Sequence, residues 1–563
     1  MRPEELATCL PEQVTNQSPP LEDLNLARGD MALTEAVERE GAAWVLPELD
    51  ALGAELGAAQ VFRWSEQANQ FEPELKNFDR FGHRIDEVEF HPAYHALMEL
   101  SMREGLHASP WASAKPGRFV ARAAKYYLKH QVEQGTSCPI TMTFAVAASL
   151  QANPDLAEVW VPRLLGTRYD PRSLPASQKH SSLFGMAMTE RQGGSDVRAN
   201  SSKAEPVGAR GNGNLYRIDG HKWFCSAPQS DALLVLAQTR GELSCFLVPR
   251  FLEDGRRNPV VVQRLKSKLG NRSNASSEIR LEHAEGWLLG EEGRGVATII
   301  EMVRHTRLDC CIGGAALIRR AVAETLNHVA HRFAFGQRLI DQPLMQNVVA
   351  DLCLESEAAT TLMMRLNRAY EEALQGDEEA AAFARLGTAV AKFQITRKET
   401  EVVREALECH GGNGFIEESP MPRLFRESPL NAIWEGSGNV QCLDALRAAQ
   451  RAPETVDAVL AELERARGLH PVYDRWLSGI GDILDSLQTM EVRARRIVEK
   501  LAIGLQSSLL LRHGSAVVAD AFIRSRLGGD YGQAFGTLPE GVDYKAIIDR
   551  SMPLFTREAR GAS

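Results

Sequence analysis

The sequence lacks several features that would assign it to a common class. Its 563 residues contain no run of 18 apolar residues, so we expect no membrane-spanning helix. The N-terminus has no basic stretch followed by an apolar one, and we expect no secretory signal. The nine cysteines show no CxxC spacing, which argues against a zinc site or disulfide framework and favours reduced thiols in a cytoplasm. No GxGxxG stretch supports a Rossmann fold.

The composition that remains is that of a globular protein, with 44% hydrophobic and 25% charged residues. This length predicts three or four domains. A net charge of −10 argues against a chain whose whole surface coats nucleic acid, although a local basic region is compatible with it.

Periodicity divides the chain into five regions. Residues 1–40 are predicted to be a mostly extended arm, and residues 41–180 a helical domain. Short stretches rich in β-formers predict an antiparallel β domain over residues 181–294. Long apolar periods predict an antiparallel helical bundle over residues 295–450, in which Gly313-Gly314 could break or bend the first helix. A last helical region is predicted over residues 451–563.

Four polar stretches carry the residue types of a cofactor site. They are "MTERQGGSDV" (188–197), "GHKWFCS" (220–226), "RFAFG" (332–336), and "HGGNGF" (410–415) followed by "IWEGSGN". Glycines permit close backbone approach to a ligand, hydroxyls supply hydrogen bonds, and an arginine beside an aromatic can hold phosphates and a stacked ring. Each stretch alone also fits a purely structural role. The first fits a polar turn, the second a core strand, the third a helix C-cap, and the fourth a solvated carboxylate at the entrance of a helix.

Together, in this order and spacing, the four stretches resemble the acyl-CoA dehydrogenase family of flavoproteins over roughly residues 90–450. The resemblance implies an α+β fold with an N-terminal helical domain, an antiparallel β domain and a C-terminal four-helix bundle, here with an extra C-terminal helical domain. It also implies non-covalently bound FAD, shared between neighbouring subunits of a homotetramer. Glu435 stands where the family has its glutamate base, and we expect Trp434 to exclude water and raise the pKa of that carboxyl.

The resemblance also implies which residues contact FAD. Ser437 or Asn439 is further expected to cap the helix that follows, whose first amides would favour an anion. One departure concerns the flavin strand, where Phe224 replaces the usual tryptophan and Ser226 the usual threonine, which weakens the case for ordinary acyl-CoA turnover. The cofactor-binding residues expected are Met188, Thr189, Gly194, Ser195, Val197, Phe224, Cys225, Ser226, Arg332, Phe335, Gln346, Gly411, Gly412, Trp434, Gly436, Ser437 and Asn439.

Within the family, "VTNQSPPLEDLNL", "CPITMTFA", "KLGNRSNASSE" and the extension after residue 450 resemble the branch linked to the bacterial response to DNA alkylation. That resemblance implies binding of double-stranded DNA. Residues 493–526 hold seven basic residues against two acidic ones, which fits mostly backbone-phosphate contacts, although a solvated helix face explains the charge equally. The DNA-binding residues expected are Arg447, Arg493, Arg495, Arg496, Lys500, Arg512, Arg524 and Arg526.

Three functions stay open at this point. The chain is a DNA-binding flavoprotein with weak or vestigial dehydrogenase activity, a genuine acyl-CoA dehydrogenase whose C-terminal helices serve assembly, or a binding protein in which flavin only stabilises the fold. The expected partners are duplex DNA, other copies of the chain and acyl-CoA, with no metal and no membrane. The expected location is the bacterial cytoplasm, where association with the nucleoid is compatible with DNA binding.

Overall fold

The computed structural model describes residues 15–481 and 491–555. Helices dominate both ends of this part of the chain, and one large β sheet lies between them. The order expected from the sequence, helical then β then helical, is confirmed. None of the described helices is long and apolar enough to cross a membrane.

The N-terminal region is mainly helical, with two departures from expectation. The predicted arm includes a helix, α1 (Met31–Arg39). Asp30 caps this helix, because its side chain accepts a hydrogen bond from the amide of Leu33. The region also contains a hairpin of strands β2 (Glu74–Phe78) and β3 (Arg84–Glu89), whose alternating residues we had included in the helical block. The helices are α1 (Met31–Arg39), α2 (Leu46–Leu56), α3 (Ala59–Gln70), α4 (Pro92–Arg103), α5 (Ser109–Ala112), α6 (Arg118–Val132), α7 (Ser137–Leu150) and α8 (Pro154–Leu164).

The β domain is a seven-stranded sheet that is not wholly antiparallel, as we had expected it to be. Strand β4 pairs with β7 in parallel, which is possible because a long crossover separates these two strands in the chain. The remaining ladders are antiparallel, apart from a single parallel contact between β5 and β7. The strands are β4 (Phe184–Ala187), β5 (Lys203–Pro206), β6 (Leu215–Ser226), β7 (Ala232–Thr239), β8 (Glu242–Pro249), β9 (Val260–Leu265) and β10 (Ser276–Leu289).

The bundle is built from long helices that pack on one another and on α6 and α7. Its first helix is unbroken through Gly313-Gly314, so the expected break does not occur. The two glycines instead allow close approach, since a Cβ on Gly313 would lie 3.0 Å from His130 Nε2 and one on Gly314 3.1 Å from Glu399 Oε2. The helices are α9 (Gly295–His331), α10 (Pro343–Leu374), α11 (Glu378–Cys409), α12 (Met421–Glu427) and α13 (Gly438–Arg451), with a small hairpin of β11 (Phe333–Ala334) and β12 (Gln337–Arg338) after α9.

The C-terminal helices share one hydrophobic core with the bundle. Helix α16 packs on α10, α11 and α13, and its Leu501 and Leu505 belong to the same buried cluster as Phe393 of α11. At the far end, β13 (Leu554–Phe555) pairs with β1 (Leu24–Asn25) of the arm. This region is therefore a continuous part of the fold. Its helices are α14 (Glu454–Glu464), α15 (Pro471–Ser478), α16 (Ala494–His513), α17 (Ala516–Arg526) and α18 (Tyr544–Ser551).

Candidate active site and basic helix face

The turn that carries Glu435 is held by a buried lysine of α11. The Nζ of Lys392 donates to the backbone carbonyls of Asn431, Trp434 and Gly436, each at 2.9 Å. An ammonium group has three donors, so one side chain satisfies three carbonyls that helix hydrogen bonds leave free. Nothing in the sequence marked Lys392, because a lysine within a long helical period is typical of a solvated face.

Glu435 itself has a backbone conformation that is uncommon for glutamate, with φ of 57°, and Gly436 follows with φ of 100°. Two side chains fix this left-handed turn. Arg307 Nε donates to the carbonyl of Glu435 at 2.9 Å, and Gln441 Nε2 donates to that of Gly436 at 2.9 Å. Asp444 holds Arg307 in turn, at 2.9 Å. The turn therefore directs one carboxylate in a defined direction, as the chemistry of a positioned base requires.

The carboxylate of Glu435 is oriented by one hydroxyl. Thr306 Oγ1 of α9 donates to Glu435 Oε2 at 2.7 Å. Burial of the carboxyl raises the pKa of Glu435, while the Thr306 hydrogen bond and the charges of Lys392 and Arg307 oppose that rise. A carboxylate whose pKa is raised is a stronger base than an exposed one.

Glu435 faces a cleft of about 270 Å³ between the N-terminal helical domain and the bundle. Cys138 of α7 lines it, and its thiol contacts the hydroxyl of Ser226, the last residue of β6. Burial raises the pKa of the Cys138 thiol to about 11, so that thiol is neutral and unreactive. The lining residues are Tyr126, His130, Ser137, Cys138, Thr141, Met142, Thr306, Asp309, Cys310, Asn431, Trp434 and Glu435.

One side of the cleft is ionic. Asp309 forms a buried ion pair with Arg122, whose NH2 group lies 2.8 Å from Asp309 Oδ2, and Thr141 donates to the same carboxylate. The Arg122 guanidinium also lies over the ring of Phe144, 3.9 Å from its centroid. These groups are mutually satisfied, so this wall is polar and rigid.

The strand expected to border the flavin presents two of its three predicted residues. Phe224 is 51% exposed and Ser226 half-buried, whereas Cys225 is fully buried. Successive side chains of a strand point to opposite faces, so Cys225 belongs to the sheet core, and its expected contact with the cofactor is corrected. Lys266 lies over the Phe224 ring at 4.5 Å, and it is a neighbour that the sequence did not indicate.

The turn at 188–197 is held by a buried ion pair. Glu190 Oε1 accepts from Lys222 Nζ at 2.8 Å and from the amide of Ser202 at 3.1 Å, so this glutamate organises the turn. A Cβ on Gly194 would lie 2.6 Å from Thr189 Oγ1, so only glycine fits there. Ser195 is exposed, while Met188 and Val197 pack against the core between α7 and the sheet.

The stretches expected to reach a neighbouring subunit are at the surface and close to the arm. Asn16 accepts from the amide of Phe333 at 2.7 Å, and its carbonyl accepts from Arg332. Gln17 accepts from Asn413 at 3.1 Å, in the turn that contains the exposed Gly411 and Gly412. Phe335 is 99% exposed, and Gln346 is half-buried at the start of α10.

Two residues expected at the helix after Glu435 behave differently from prediction. Helix α13 begins at Gly438, and the side chain of Ser437 makes no capping hydrogen bond. Asn439 Oδ1 instead accepts from Arg495 of α16 at 3.3 Å. The predicted side-chain cap is therefore absent among the described residues, and Asn439 links α13 to the C-terminal helices.

The basic residues expected to contact DNA separate into two groups. Arg447 is exposed on α13, Arg495 and Arg496 are exposed on α16, and Arg493 is exposed just before α16. Lys500 of α16 is half-buried. Arg397 of α11 is also exposed, and the sequence had not indicated it. It lies close to Arg495, because the guanidinium groups of both lie over the ring of Phe393, 5.4 and 5.5 Å from its centroid. We call Arg397, Arg447, Arg493, Arg495 and Arg496 the basic face.

Three of the expected DNA contacts lie elsewhere. Arg526 is buried in ion pairs with Asp351 and Glu355, the latter at 2.9 Å. Arg512 pairs with the buried Glu462. Arg524 contacts Asp520 at 3.4 Å and donates to the carbonyl of Glu540 at 2.9 Å. Arg526 and Arg512 are removed from the set on physical grounds, since a phosphate contact would leave buried carboxylates unpaired.

The residues present fit an isoalloxazine and a dinucleotide tail. Half of the Phe224 side chain is free beside the Ser226 hydroxyl, and Ser226 contacts the same Cys138 that lines the Glu435 cleft. A Cβ at Gly411 or Gly412 would meet no atom within 4 Å, so both glycines leave open backbone for a ligand. Among residues 15–481 and 491–555, no cluster of histidine, cysteine and acidic side chains could hold a metal ion.

Comparison with known proteins agrees with this geometry. Three family models match: the N-terminal domain of the adaptive response protein AidB over residues 16–171, the acyl-CoA dehydrogenase middle domain over 185–284, and the acyl-CoA dehydrogenase C-terminal domain over 293–450. AidB of Escherichia coli (strain K12) is 45% identical over 516 residues, which cover 91% of this chain and 94% of that protein.

Solved structures show the same fold. ACDH-11 of Caenorhabditis elegans, crystallised with C11-CoA, superposes with a TM-score of 0.81 at 24% identity, covering 99% of this chain and 97% of its own. An acyl-CoA dehydrogenase of Bacillus anthracis, complexed with FAD, gives a TM-score of 0.62 at 19% identity, covering 90% and 88%. The predicted fold class is confirmed.

Proposed function

The chain belongs to the acyl-CoA dehydrogenase family, in its AidB-like branch, and on that premise we propose that it binds double-stranded DNA and protects it against alkylation damage. Its cofactor is FAD, on which this family depends. The observation that carries the proposal is the position of the basic face. Helix α13 starts three residues after Glu435 and carries Arg447, so one continuous helix links the Glu435 turn to the basic face.

At the cleft, the proposed chemistry is weak α,β-desaturation of an acyl thioester. Glu435 takes the α-proton, and Thr306 keeps its Oε2 oriented while Glu435 Oε1 accepts the proton. FAD, when bound, supplies the acceptor for the β-hydride. Trp434 and Met142 exclude water from the carboxylate.

Two features of the cleft favour a low turnover and a short acyl group. The Arg122–Asp309 pair puts ionic groups where a long alkyl chain would need an apolar wall. Lys266 also places a cation over Phe224, where this chain lacks the larger tryptophan surface.

A second candidate function is that of a genuine acyl-CoA dehydrogenase whose C-terminal helices serve the fold. The continuous core between α16 and the bundle favours it, because a C-terminal region built only to hold DNA would not need to complete that core. Anaerobic addition of acyl-CoAs of graded chain length distinguishes the two. Rapid bleaching of the flavin by one chain length would establish this second function.

The DNA proposal rests on unpaired positive charge. None of Arg397, Arg447, Arg493 and Arg496 has a carboxylate within ion-pairing distance among the described residues, and Arg495 contacts only Asn439 and Phe393. Free guanidinium groups on one surface attract phosphates and release counter-ions, without reading the base sequence. Binding is therefore expected to be salt-dependent and tolerant of sequence.

The test is charge reversal on the full chain with FAD. Deleting the residues after 450 would be uninformative, because it would expose the bundle core. We expect R495E/R496E to lower duplex affinity by about 10- to 100-fold and to reduce the dependence on salt by about two counter-ions. The matched control is R465E/R467E, which changes net charge equally but at arginines already paired with Glu379, Glu462 and Glu464. Equal losses in both variants would contradict a defined face.

We further propose that the chain assembles as a homotetramer in the bacterial cytoplasm. Three large apolar side chains are exposed close to the arm. Phe335 of the hairpin β11–β12 is 99% exposed, Leu344 at the start of α10 is 85% exposed, and Phe415 in the glycine turn that contacts the arm is 81% exposed. Such apolar exposure is typical of an interface. Sedimentation of wild type and of Phe335→Ser tests it, and an unchanged monomer in both would contradict the proposal.

A further inference from the structure

A second cavity, of about 280 Å³, lies between the hairpin β2–β3 and the β sheet. Its apolar wall includes Leu233 and Val248 of strands β7 and β8. Its polar lining consists of Ser230, Arg250, Arg257 and Asp86. No residue lines both this cavity and the Glu435 cleft, so the proposed function does not use it.

Two guanidinium groups meet at this cavity without a matching pair of carboxylates. Arg250 and Arg257 lie over the ring of Phe251, 5.3 and 5.1 Å from its centroid. Among the described residues, Arg250 has no carboxylate within ion-pairing distance and donates only to the carbonyl of Gln229, at 3.3 Å. In the same part of the chain, Arg257 has one carboxylate at that distance, Glu87 at 4.0 Å, and it donates to the backbone carbonyl of Asp86 at 3.5 Å. Burial, together with the charge of Arg257, lowers the pKa of Arg250 to about 10, and the more distant charges of Asp231, Glu87 and Asp86 oppose that shift.

A buried hydroxyl adds an independent observation. Ser230 is 1% exposed and lines the cavity, and its Oγ has no hydrogen-bond partner. Buried hydroxyls are normally satisfied, so this one is available to donate to a ligand oxygen that enters the cavity. The single acidic side chain of the lining, Asp86, is already engaged by Arg84 at 2.9 Å, by Asn77 at 2.9 Å and by the amide of Val262 at 3.1 Å.

We propose that this cavity is a binding site for a phosphate-sized oxyanion. Arg250 and Arg257 supply the charge and the forked donors that match tetrahedral oxygens, and Ser230 supplies a hydroxyl donor. Arg257 keeps 24% of its side chain exposed, which places the entrance on its side of the cavity.

The same chemistry has two sources, free inorganic phosphate and the phosphoryl group of a phosphate monoester. The experiment uses the full chain with FAD and follows thermal unfolding as inorganic phosphate replaces chloride at constant ionic strength. A parallel series uses glycerol phosphate, and a third uses acetate. We expect a saturable rise of the unfolding midpoint with phosphate, because a ligand that binds only the folded state stabilises it. A similar rise with glycerol phosphate assigns the monoester, and its absence assigns the free ion.

The variants separate a site from a general ionic effect. Arg250→Met is expected to weaken phosphate binding by at least about tenfold, the effect of losing one charge-assisted hydrogen bond. Ser230→Ala is expected to weaken it by about threefold without lowering the midpoint in phosphate-free buffer, since an unsatisfied hydroxyl is removed, and it remains a test if Arg250→Met fails to fold. The matched control is Arg256→Met, at an adjacent arginine that is exposed and paired with Asp254 at 2.6 Å.

Three outcomes would overturn the proposal. They are no saturable response to either phosphate, an equal response to acetate, and an equal loss of affinity in Arg256→Met and Arg250→Met.

Discussion

The Glu435 cleft and the basic face hold their charges in opposite ways. Around the cleft, the charged groups are buried or half-buried and engaged: Lys392 satisfies three carbonyls, Arg307 satisfies a fourth, and Asp309 pairs with Arg122. On the basic face, the arginines are exposed, and none of them has an ion-pair partner within residues 15–481 and 491–555. The first arrangement fixes one reactive carboxylate, and the second leaves charge available to a polyanion.

This difference teaches that a count of basic residues does not locate a binding surface. Arg526 and Arg496 belong to the same basic stretch of sequence, yet one is buried against two carboxylates and the other is exposed. What distinguishes them is that Arg526 faces Asp351 and Glu355 of another helix. Both carboxylates are more than a hundred residues away from it in the chain. Pairing, and not composition, decides which charges a ligand can use.

The largest expected effect is at the cleft. Glu435→Gln keeps the shape of the side chain and removes the base, so we expect flavin reduction by a short acyl-CoA to slow by about 100- to 10,000-fold. The measurement is anaerobic stopped-flow bleaching of the flavin in the full chain. DNA affinity is expected to be unchanged, because the basic face does not include this residue.

Glu399 offers a matched control for that experiment. It is buried behind the same turn, 3.2 Å from Asn431 Nδ2, and it does not line the cleft. Burial raises the pKa of Glu399 well above its usual value, which favours the neutral carboxyl, and glutamine is a close replacement for that form. A Glu399→Gln protein that slows as much as Glu435→Gln would show that the loss comes from the turn and not from the base.

The second prediction tests the two kinds of arginine against each other. Arg526→Met leaves Asp351 and Glu355 buried without their cation, and we expect it to destabilise the fold by about 3–5 kcal/mol. Arg496→Met removes an exposed, unpaired charge and is expected to change stability by less than about 0.5 kcal/mol. Chemical denaturation checks both, and the DNA affinity of the folded proteins should follow the reverse order. Similar stability losses would mean that Arg496 also has a structural partner.

The sequence predicted the order of the blocks and the position of Glu435, because apolar periods and glycine-rich stretches are local signals. It did not predict the residues that hold Glu435. Lys392 and Thr306 lie within long helical periods, and only the packing of α9 and α11 against the turn gives them a role. Cys225 was expected to line the flavin, but its side chain lies in the sheet core, which strand alternation with Phe224 and Ser226 could have indicated. The hairpin β2–β3 was missed because it is short and half-polar.

The smallest effect is expected from Thr306→Val, which removes one hydrogen bond from Glu435 without changing the size of the side chain. That hydrogen bond favours the charged carboxylate and opposes the effect of burial, so its loss raises the pKa of Glu435 further. The base works only when ionised, and activity is lost as pH falls through that pKa. The acid limb of the pH–rate profile should therefore move to higher pH by about 0.5–1 unit, the equivalent of one hydrogen bond. Flavin reduction rates measured across pH check this, and an acid limb that moves to lower pH would mean that Thr306 does not donate to the ionised carboxylate.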